Sequence, residues 1–378
     1  MTPSHTLSPT SPSALADLAA RPLTRRGLVG LGSAAVLASL AACGSSSGGT
    51  ADATASSGAS AGGASAAASG PAAEDSATGV PATLSPGMGS GAADGVFPRD
   101  VVHYQGTTTI TAAPSKVVVL STGQADAMLT LGMCPIGSSA ASGTDAPVPQ
   151  YLQDAFPEQA AAIKAITYVG SRMEPDVEAI AALHPDLILV NIAGKDDAAA
   201  MYTSLSAVAP TVATHGTGQY WKVDFLLLAD ALGKREAAQA EIDAVTAAAA
   251  SAGAGLTSPG TVSLLRKNGD KLRVFGPLSF PGSLVAEMGL ARPASQQFTT
   301  GVSTDLSEET LDQADGDWLL YAVQGGDESE ATALPLWSSL GAVSAHHAVE
   351  VDDDPFFLNA GPRAARTVIS ATAAALAS

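Results

Sequence analysis

The chain has 378 residues, with Lys+Arg 18 against Asp+Glu 36 and a formal net charge of -18. The length suits about two domains, and the acidic balance argues against nucleic acid and against a surface drawn to anionic lipid. Charged residues make up only 14 % and aromatic residues 4 %.

Met1 to Ala20 is polar and small in its side chains and gives no fold signal. Arg21, Arg25 and Arg26 then form a basic segment ahead of an apolar run, Leu28 to Leu40. That run is too short to span a bilayer, which needs about 20 residues, and has the layout of a secretory leader. Thr24-Arg25-Arg26-Gly27-Leu28-Val29 resembles a twin-arginine export signal, imperfectly. Leu40-Ala41-Ala42-Cys43-Gly44 resembles the bacterial lipobox. This resemblance implies cleavage before Cys43, a lipid on its sulfur, and a protein anchored on the outer face of the cytoplasmic membrane. Cys134 is then the one remaining cysteine. With no second cysteine left, no intrachain disulfide is expected, and its apolar context predicts a small buried hydrophobe rather than a reactive thiol.

Gly44 to about Gly95 is rich in Gly, Ser, Ala and Thr. Such a segment buries too little apolar surface to offset chain entropy and is expected to be a flexible tether. Two G-x-S-x-G matches in it, Gly44–Gly48 and Gly58–Gly62, lack the strand before and the helix after that a nucleophile turn needs.

Folded structure is expected from about Phe97. Val101 to Thr111 reads as a hairpin or edge strand, Val117 to Leu120 as a buried strand, and Ala125 to Leu131 as a helix closed by Gly132. A strand begins at Pro135-Ile136-Gly137. Ala160 to Ile166 is a short helix, and Tyr168-Val169 a short strand. Glu174-Pro175-Asp176 opens a helix whose apolar face is Val177, Ile180, Ala181 and Leu183. His184-Pro185-Asp186 ends it, since proline disfavours helix for the residue before it. Leu187 to Val190 is a continuous apolar run, the pattern of a strand buried on both faces. A helix over Asp196 to Ala207 and a strand over Pro210 to Ala213 complete a β-α-β-α series, which implies a parallel-sheet lobe.

Helices are expected over Tyr220 to Leu232 and Glu236 to about Ala252, split by Gly233-Lys234-Arg235. A second lobe follows. Thr261–Leu265 and Leu272–Phe275 read as strands, Ser283–Met288 and Glu308–Ala314 as helices, and Trp318–Val323 as a buried strand. Leu336–Leu340 reads as helix, Ala345–Val351 as strand and Pro362–Ala377 as a final helix. The predicted fold is α/β: two Rossmann-like lobes joined by one long helix, with the ligand cleft between them. The predicted boundaries are leader 1–42, lipidated cysteine and linker 43–96, first lobe 97–232, connecting helix 233–258 and second lobe 259–378.

Five stretches together resemble siderophore-binding proteins of iron-uptake ABC importers. VGSRMEPDVEAIAALHPDLILV resembles that family's signature, and PSKVVVLSTGQADAMLTLGMCPIG its first strand and helix. LRVFGPLSFPGSLVAEMGLARP, LSEETLDQADGDWLLYA and LWSSLGAVSAHHAVEVDDDPFFLNAGPRAA match later units in order. The match covers essentially Pro114 to Ala377. It implies a lipoprotein that captures a ferric siderophore and passes it to permease subunits. It also implies little hinge motion, no catalysis, no cofactor of its own and iron held by the siderophore rather than by direct protein ligands. A monomer is expected.

A ferric siderophore offers an apolar rim and oxygens around its metal, so aromatic walls and forked donors suit it. The resemblance places a ligand arginine at Arg172, the alternative being a surface salt bridge with Glu174, and a second at Arg266, the alternative being a solvated strand end. Gln124 and Asn191 follow strands and are candidates for the cleft mouth. Tyr220 and Trp221 are candidates for its wall, and of Phe356 and Phe357 one is expected in the core and the other against ligand. The resemblance also implies one exposed glutamate per lobe for docking to permease arginines, Glu178 and Glu309, with Glu174 and Glu308 as neighbours able to take that role. Cobalamin or haem binding on the same fold, and a ligand-sensing lipoprotein not engaged in transport, are the alternative readings. Direct zinc or manganese binding needs several His with a carboxylate. His103, His184, His215, His346 and His347 form no such cluster in the sequence. No nucleophile–base constellation for an enzyme appears either.

Overall fold

The computed structural model describes residues 79–140, 146–257 and 259–377. The expected leader, the lipobox with Cys43 and both G-x-S-x-G matches lie outside these residues.

The first lobe opens with a hairpin, β1 (Arg99–His103) and β2 (Gly106–Ile110), paired antiparallel. It continues through β3 (Val117–Val119), α1 (Thr122–Thr130), β4 (Gly137–Ala140), α2 (Gln150–Ala155), α3 (Ala160–Lys164) and β5 (Thr167–Ser171). Then come α4 (Val177–Ala182), β6 (Leu187–Asn191), α5 (Ala198–Ser206) and β7 (Thr211–Thr214). The parallel sheet has the order β5-β4-β3-β6-β7. Val117, Val118 and Val119 of the central strand are fully buried, as its uninterrupted apolar run requires. The hairpin lies against β7: the Thr108 hydroxyl donates to the Thr211 carbonyl at 2.6 Å, and Tyr104 N–H donates to the Ala213 carbonyl at 3.3 Å. It thus covers a strand edge that would otherwise offer free backbone groups.

Two helices lead out of this lobe, α6 (Trp221–Ala231) and the twenty-residue α7 (Arg235–Ala254). Ala238 and Ile242 of α7 belong to the core of the first lobe, and Val245 and Ala249 to that of the second. One helix therefore packs into both cores.

The second lobe contains β8 (Val262–Asn268), β9 (Lys271–Phe275), α8 (Phe280–Glu287), β10 (Ser303–Leu306) and β11 (Trp318–Val323). It ends with α9 (Ser329–Thr332), α10 (Gly341–Ser344), β12 (Ala348–Glu350) and α11 (Pro362–Leu376). Its sheet has the order β10-β9-β8-β11-β12, with β8, β11 and β12 parallel. β9 and β10 run antiparallel. β8 turns into β9 through Gly269-Asp270, with Gly269 at φ +55°, the left-handed conformation a two-residue hairpin turn needs.

The tether expected to run through residue 96 does not include residues 79–96, which pack on the lobes. Val80 is buried with Trp221 and Phe280, while Leu84 and Met88 pack on the first lobe's core. Gly89 bridges Val102. Ser90 donates from its backbone N (2.6 Å) and its hydroxyl (2.9 Å) to the Asp230 carboxylate, which also pairs with the fully buried Arg99 at 3.5 Å. Asp94 accepts from Glu236 N–H at the start of α7. Residues 79–96 are therefore a strap whose few large apolar side chains reach both cores. Its polar residues supply groups that α6 and α7 would otherwise leave without partners.

A second tie runs between α1 and α11. Asp126 is fully buried and accepts from the backbone N–H groups of Arg363 and Ala364, both at 2.9 Å, capping α11. Burial pushes its carboxyl up to about 6, against the lowering effect of those bonds. Gly361 must be glycine here, since a Cβ would stand 2.5 Å from Asp126 Cγ.

Candidate functional site

In the first sheet, β3, β4 and β5 proceed in one direction and β6 and β7 in the other. Ligands bind beyond the carboxyl ends of strands at such a reversal. Here it brings the residues after β3 beside the end of β6. A cleft of about 740 Å³ opens at this place, lined by both lobes. That volume lies in the range of small-molecule sites.

Gln124 and Asn191, expected at the cleft mouth, both line it, but they are largely occupied with each other. Gln124 Nε2 donates to Asn191 Oδ1 at 2.9 Å and to Thr214 Oγ1 at 3.0 Å. Its Oε1 accepts from Leu120 N–H at 3.0 Å, and Thr214 Oγ1 donates to Asn191 Oδ1 at 2.5 Å. This network clamps the ends of β3, β6 and β7 together, so Gln124 shapes the floor and keeps few groups for a ligand. It also fixes the direction of Asn191, which the sequence leaves open.

Arg172 lines the cleft with its guanidinium half-buried. Its Nη1 donates to the Ala193 carbonyl at 3.0 Å, and no carboxylate pairs with it among the described residues. The salt bridge to Glu174 is not formed. Burial lowers the Arg172 pKa from its ordinary value. Lys195 donates to the Arg172 carbonyl, and burial together with the neighbouring guanidinium brings its ammonium down to about 8.

The apolar wall comes from α6, α8, β9 and the turn before α11. Trp221, Phe225 and Leu228 share one face of α6 at helical spacing and all line the cleft. Trp221 is 2 % exposed, meets Phe280 edge-on at 5.6 Å, and its indole Nε1–H has no hydrogen-bond partner among the described residues. Phe357 tilts on Phe275 with ring centroids 4.7 Å apart. Phe356, 1 % exposed, belongs to the second lobe's core, although both phenylalanines border the cleft. They lie in a single wide helical turn, Asp354–Leu358, where the sequence suggests only a loop.

Two expected ligand residues do not line the cleft. Arg266 makes a bidentate ion pair with Asp353, through Nε at 2.5 Å and Nη2 at 2.8 Å. It sits within β8, which runs to Asn268, so its fork is spent on the loop ahead of Phe356. Tyr220 stands outside the wall and stacks on His215 at 3.9 Å. Glu178, in the first turn of α4, and Glu309 are both exposed. The Glu309 carboxyl is held below its usual range by its own backbone N–H and the Ser307 hydroxyl.

Asp224 is the residue that sequence reasoning missed. It lies three residues after Trp221 on the cleft face of α6. Its oxygens accept from His215 N–H at 2.8 Å and Gly216 N–H at 2.7 Å. Burial pushes its carboxyl up to about 7. The available signal was a lone acid among Trp221, Phe225 and Leu228, an interruption of an otherwise apolar stripe. Among the described residues no group of three or more His, Cys, Asp or Glu is placed to hold a metal ion.

A profile of the family described as periplasmic binding protein matches residues 117–355. The chain is similar to the probable siderophore-binding lipoprotein YfiY of Bacillus subtilis, 32 % identical over 292 residues, covering 72 % of this chain and 85 % of that protein. It is also similar to the Fe(3+) dicitrate-binding periplasmic protein FecB of Escherichia coli, 28 % identical over 73 % of this chain and 89 % of that one. Among solved structures, Staphylococcus aureus SirA complexed with staphyloferrin B superposes with a TM-score of 0.63 at 24 % identity, over 74 % of this chain and 98 % of SirA. That likeness concerns the fold.

Proposed function

Because the chain belongs to the periplasmic binding protein family, we propose that it captures a ferric siderophore outside the cytoplasm and hands it to the permease of an ABC importer. The observation that carries the reading is the cleft of about 740 Å³ between the lobes, whose lining combines an aromatic wall with the guanidinium of Arg172, which makes no ion pair among the described residues. That pairing of surfaces matches a ligand with an apolar rim and clustered oxygens. The similar proteins named for siderophore and ferric dicitrate binding support the same ligand class. Iron is then cargo, wrapped by the siderophore, and the protein makes and breaks no bond.

Arg172 grips ligand oxygens, Phe275 and Phe357 with Trp221 pack its organic shell, and the Gln124–Asn191–Thr214 network holds the floor rigid. The strap and the α1–α11 tie fasten the lobes to each other beside the cleft, which favours a preformed site and lowers the cost of ordering it. Glu178 and Glu309 address the permease, one from each lobe. Exposed pairs of this kind govern encounter rate and register more than affinity. Cleavage before Cys43 and lipidation of its sulfur tether the protein to the outer face of the cytoplasmic membrane. The protein reaches the permease as a monomer.

Calorimetric titration of the purified protein against a panel of ferric siderophores, cobalamin and haem tests the ligand class. Saturable binding of a ferric siderophore at micromolar concentration or below is expected. Binding of cobalamin or haem alone would overturn it. Reconstitution with permease separates transport from sensing, since a sensor binds the ligand without moving it.

A further inference from the structure

The ionisable side chains lining the cleft, among the described residues, are Arg172, Glu174 and Asp224. One cation thus faces two carboxylates. Glu174 is exposed at the rim and screened by solvent. Asp224 sits deeper, on the apolar face of α6, and forms no ion pair among the described residues. It cannot turn away. Both oxygens are held by backbone N–H groups of the β7–α6 turn. The turn itself is fixed, because Gly216 has φ +91° and a Cβ there would lie 2.5 Å from Asn191 Cβ.

The groups around Asp224 supply no positive charge. Tyr104 faces it, and the proximity of its charge adds to the burial that raises the Tyr104 hydroxyl, with Tyr220 also near that hydroxyl. His215 lies between those two rings, edge-on to Tyr104 at 5.4 Å and stacked on Tyr220. Burial lowers the His215 pKa, so its ring is neutral near pH 7. On α6 itself the neighbouring Lys222 is paired with Glu287 at 2.6 Å. Lys195 binds the Arg172 carbonyl and does not line the cleft.

We propose that Asp224 is a specificity-determining residue: its uncompensated carboxylate works against ferric complexes carrying several negative charges, so that the cargo is neutral or singly negative. Discrimination of this sort needs an unfavourable element aimed at the wrong ligand as well as contacts for the right one. The inference rests on the siderophore reading of the cleft and adds the charge class. Because burial brings the Asp224 carboxyl to about 7, acidification removes one negative charge from the wall, and the discrimination relaxes as pH falls through that value.

The test measures dissociation constants of the purified protein for three ferric complexes of net charge 0, −1 and −3: a tris-hydroxamate, a citrate-based hydroxamate and a tris-catecholate. The wild type at pH 8 is expected to hold the triply charged complex more weakly than the neutral or the singly charged one. Asp224→Asn is expected to reduce the ratio of triply charged to neutral dissociation constants by at least about tenfold, from one unit of charge near the ligand. In the wild type the same ratio falls between pH 8 and pH 6, and this second measurement needs no variant. An unchanged ratio in both comparisons, or tightest binding of the triply charged complex by the wild type, overturns the role of Asp224 while leaving the siderophore reading intact. If none of the three complexes binds the wild type, the siderophore reading fails and the inference fails with it.

Discussion

Lys222 and Glu287 join α6, which carries the cleft face, to α8 of the second lobe. Their ion pair is 2.6 Å long, with side chains only 7 % and 12 % exposed. Lys222 Nζ also donates to Thr246 on α7 at 3.1 Å and lies 5.5 Å from the centre of the Trp221 ring. Glu287 Oε2 already lacks a partner, so Lys222→Met leaves a whole carboxylate buried and unpaired. Removing one member of such a pair costs about 3–5 kcal/mol. For a chain this long, at about 1.5–2 °C per kcal/mol, that corresponds to a fall of roughly 5–10 °C in melting temperature. Replacing both members with apolar residues of similar volume, Lys222→Met with Glu287→Leu, removes the uncompensated charge and is expected to recover most of the loss. Thermal and urea denaturation of the wild type, both single variants and the double variant complete the cycle. If Lys222→Met costs less than about 1 kcal/mol, or the double variant is no more stable than the single one, the pair does not fasten α6 to α8 in the way the geometry implies.

Three further outcomes are expected. Arg172→Ala removes charge-assisted hydrogen bonds worth about 1.5–3 kcal/mol, so the dissociation constant for a ferric siderophore should rise about ten- to a hundredfold; an unchanged constant would take Arg172 out of the site. Replacing Glu178 and Glu309 with alanine should leave ligand affinity as it is and abolish delivery in a reconstituted permease, whereas full transport by the double variant would end the docking proposal. His103, 4 % exposed, has its Nε2 at 2.9 Å from Thr108 Oγ1, whose hydroxyl donates onward to Thr211, while its Nδ1 accepts from Gln105 N–H at 3.1 Å. Both ring nitrogens suit a neutral imidazole, and burial lowers the pKa to about 4. The depressed value means this stabilisation is present above the unfolded pKa near 6.5 and is lost as pH falls through about 4. The total is about 3 kcal/mol, and urea melts across that range should show a shallower acid limb in His103→Gln.

The parallel lobe was legible because its strands are buried on both faces. Leu187–Val190 can be little else than a central strand, and it pairs with β3 and β7 as such. The helix before it starts at Val177 with Asp176 as its cap, accepting from Ala179 N–H at 2.9 Å, so Pro175 lies just outside rather than in the first turn. His184 takes φ +49° at its end, and Asp186 then receives Ser115 and Lys116 N–H groups. Less was legible where structure depends on distant partners. The strap at 79–96 has tether-like composition, and only its contacts with Asp230, Glu236 and the two cores order it. β10 is a short, half-exposed edge strand with no apolar run. Leu336–Leu340 breaks into a tight turn at Trp337–Ser339 before α10. Arg172, Trp221 and Phe357, expected from sequence, line the cleft, but Arg266 does not, because its fork is taken by Asp353 from a loop 87 residues away. Cys134 is half-buried against a core cluster, less than the full burial its context suggested, and burial raises its thiol pKa.

The central claim is that the cleft between the lobes takes a ferric siderophore. Trp221 borders that cleft and reports on it directly, so intrinsic tryptophan fluorescence of the purified protein, titrated with ferric siderophores, haem and cobalamin, is the most direct measurement. A saturable quench by at least one ferric siderophore at micromolar concentration or below, weakened in Arg172→Ala, is the predicted result. Saturation by haem or cobalamin with no response to any ferric siderophore would contradict it.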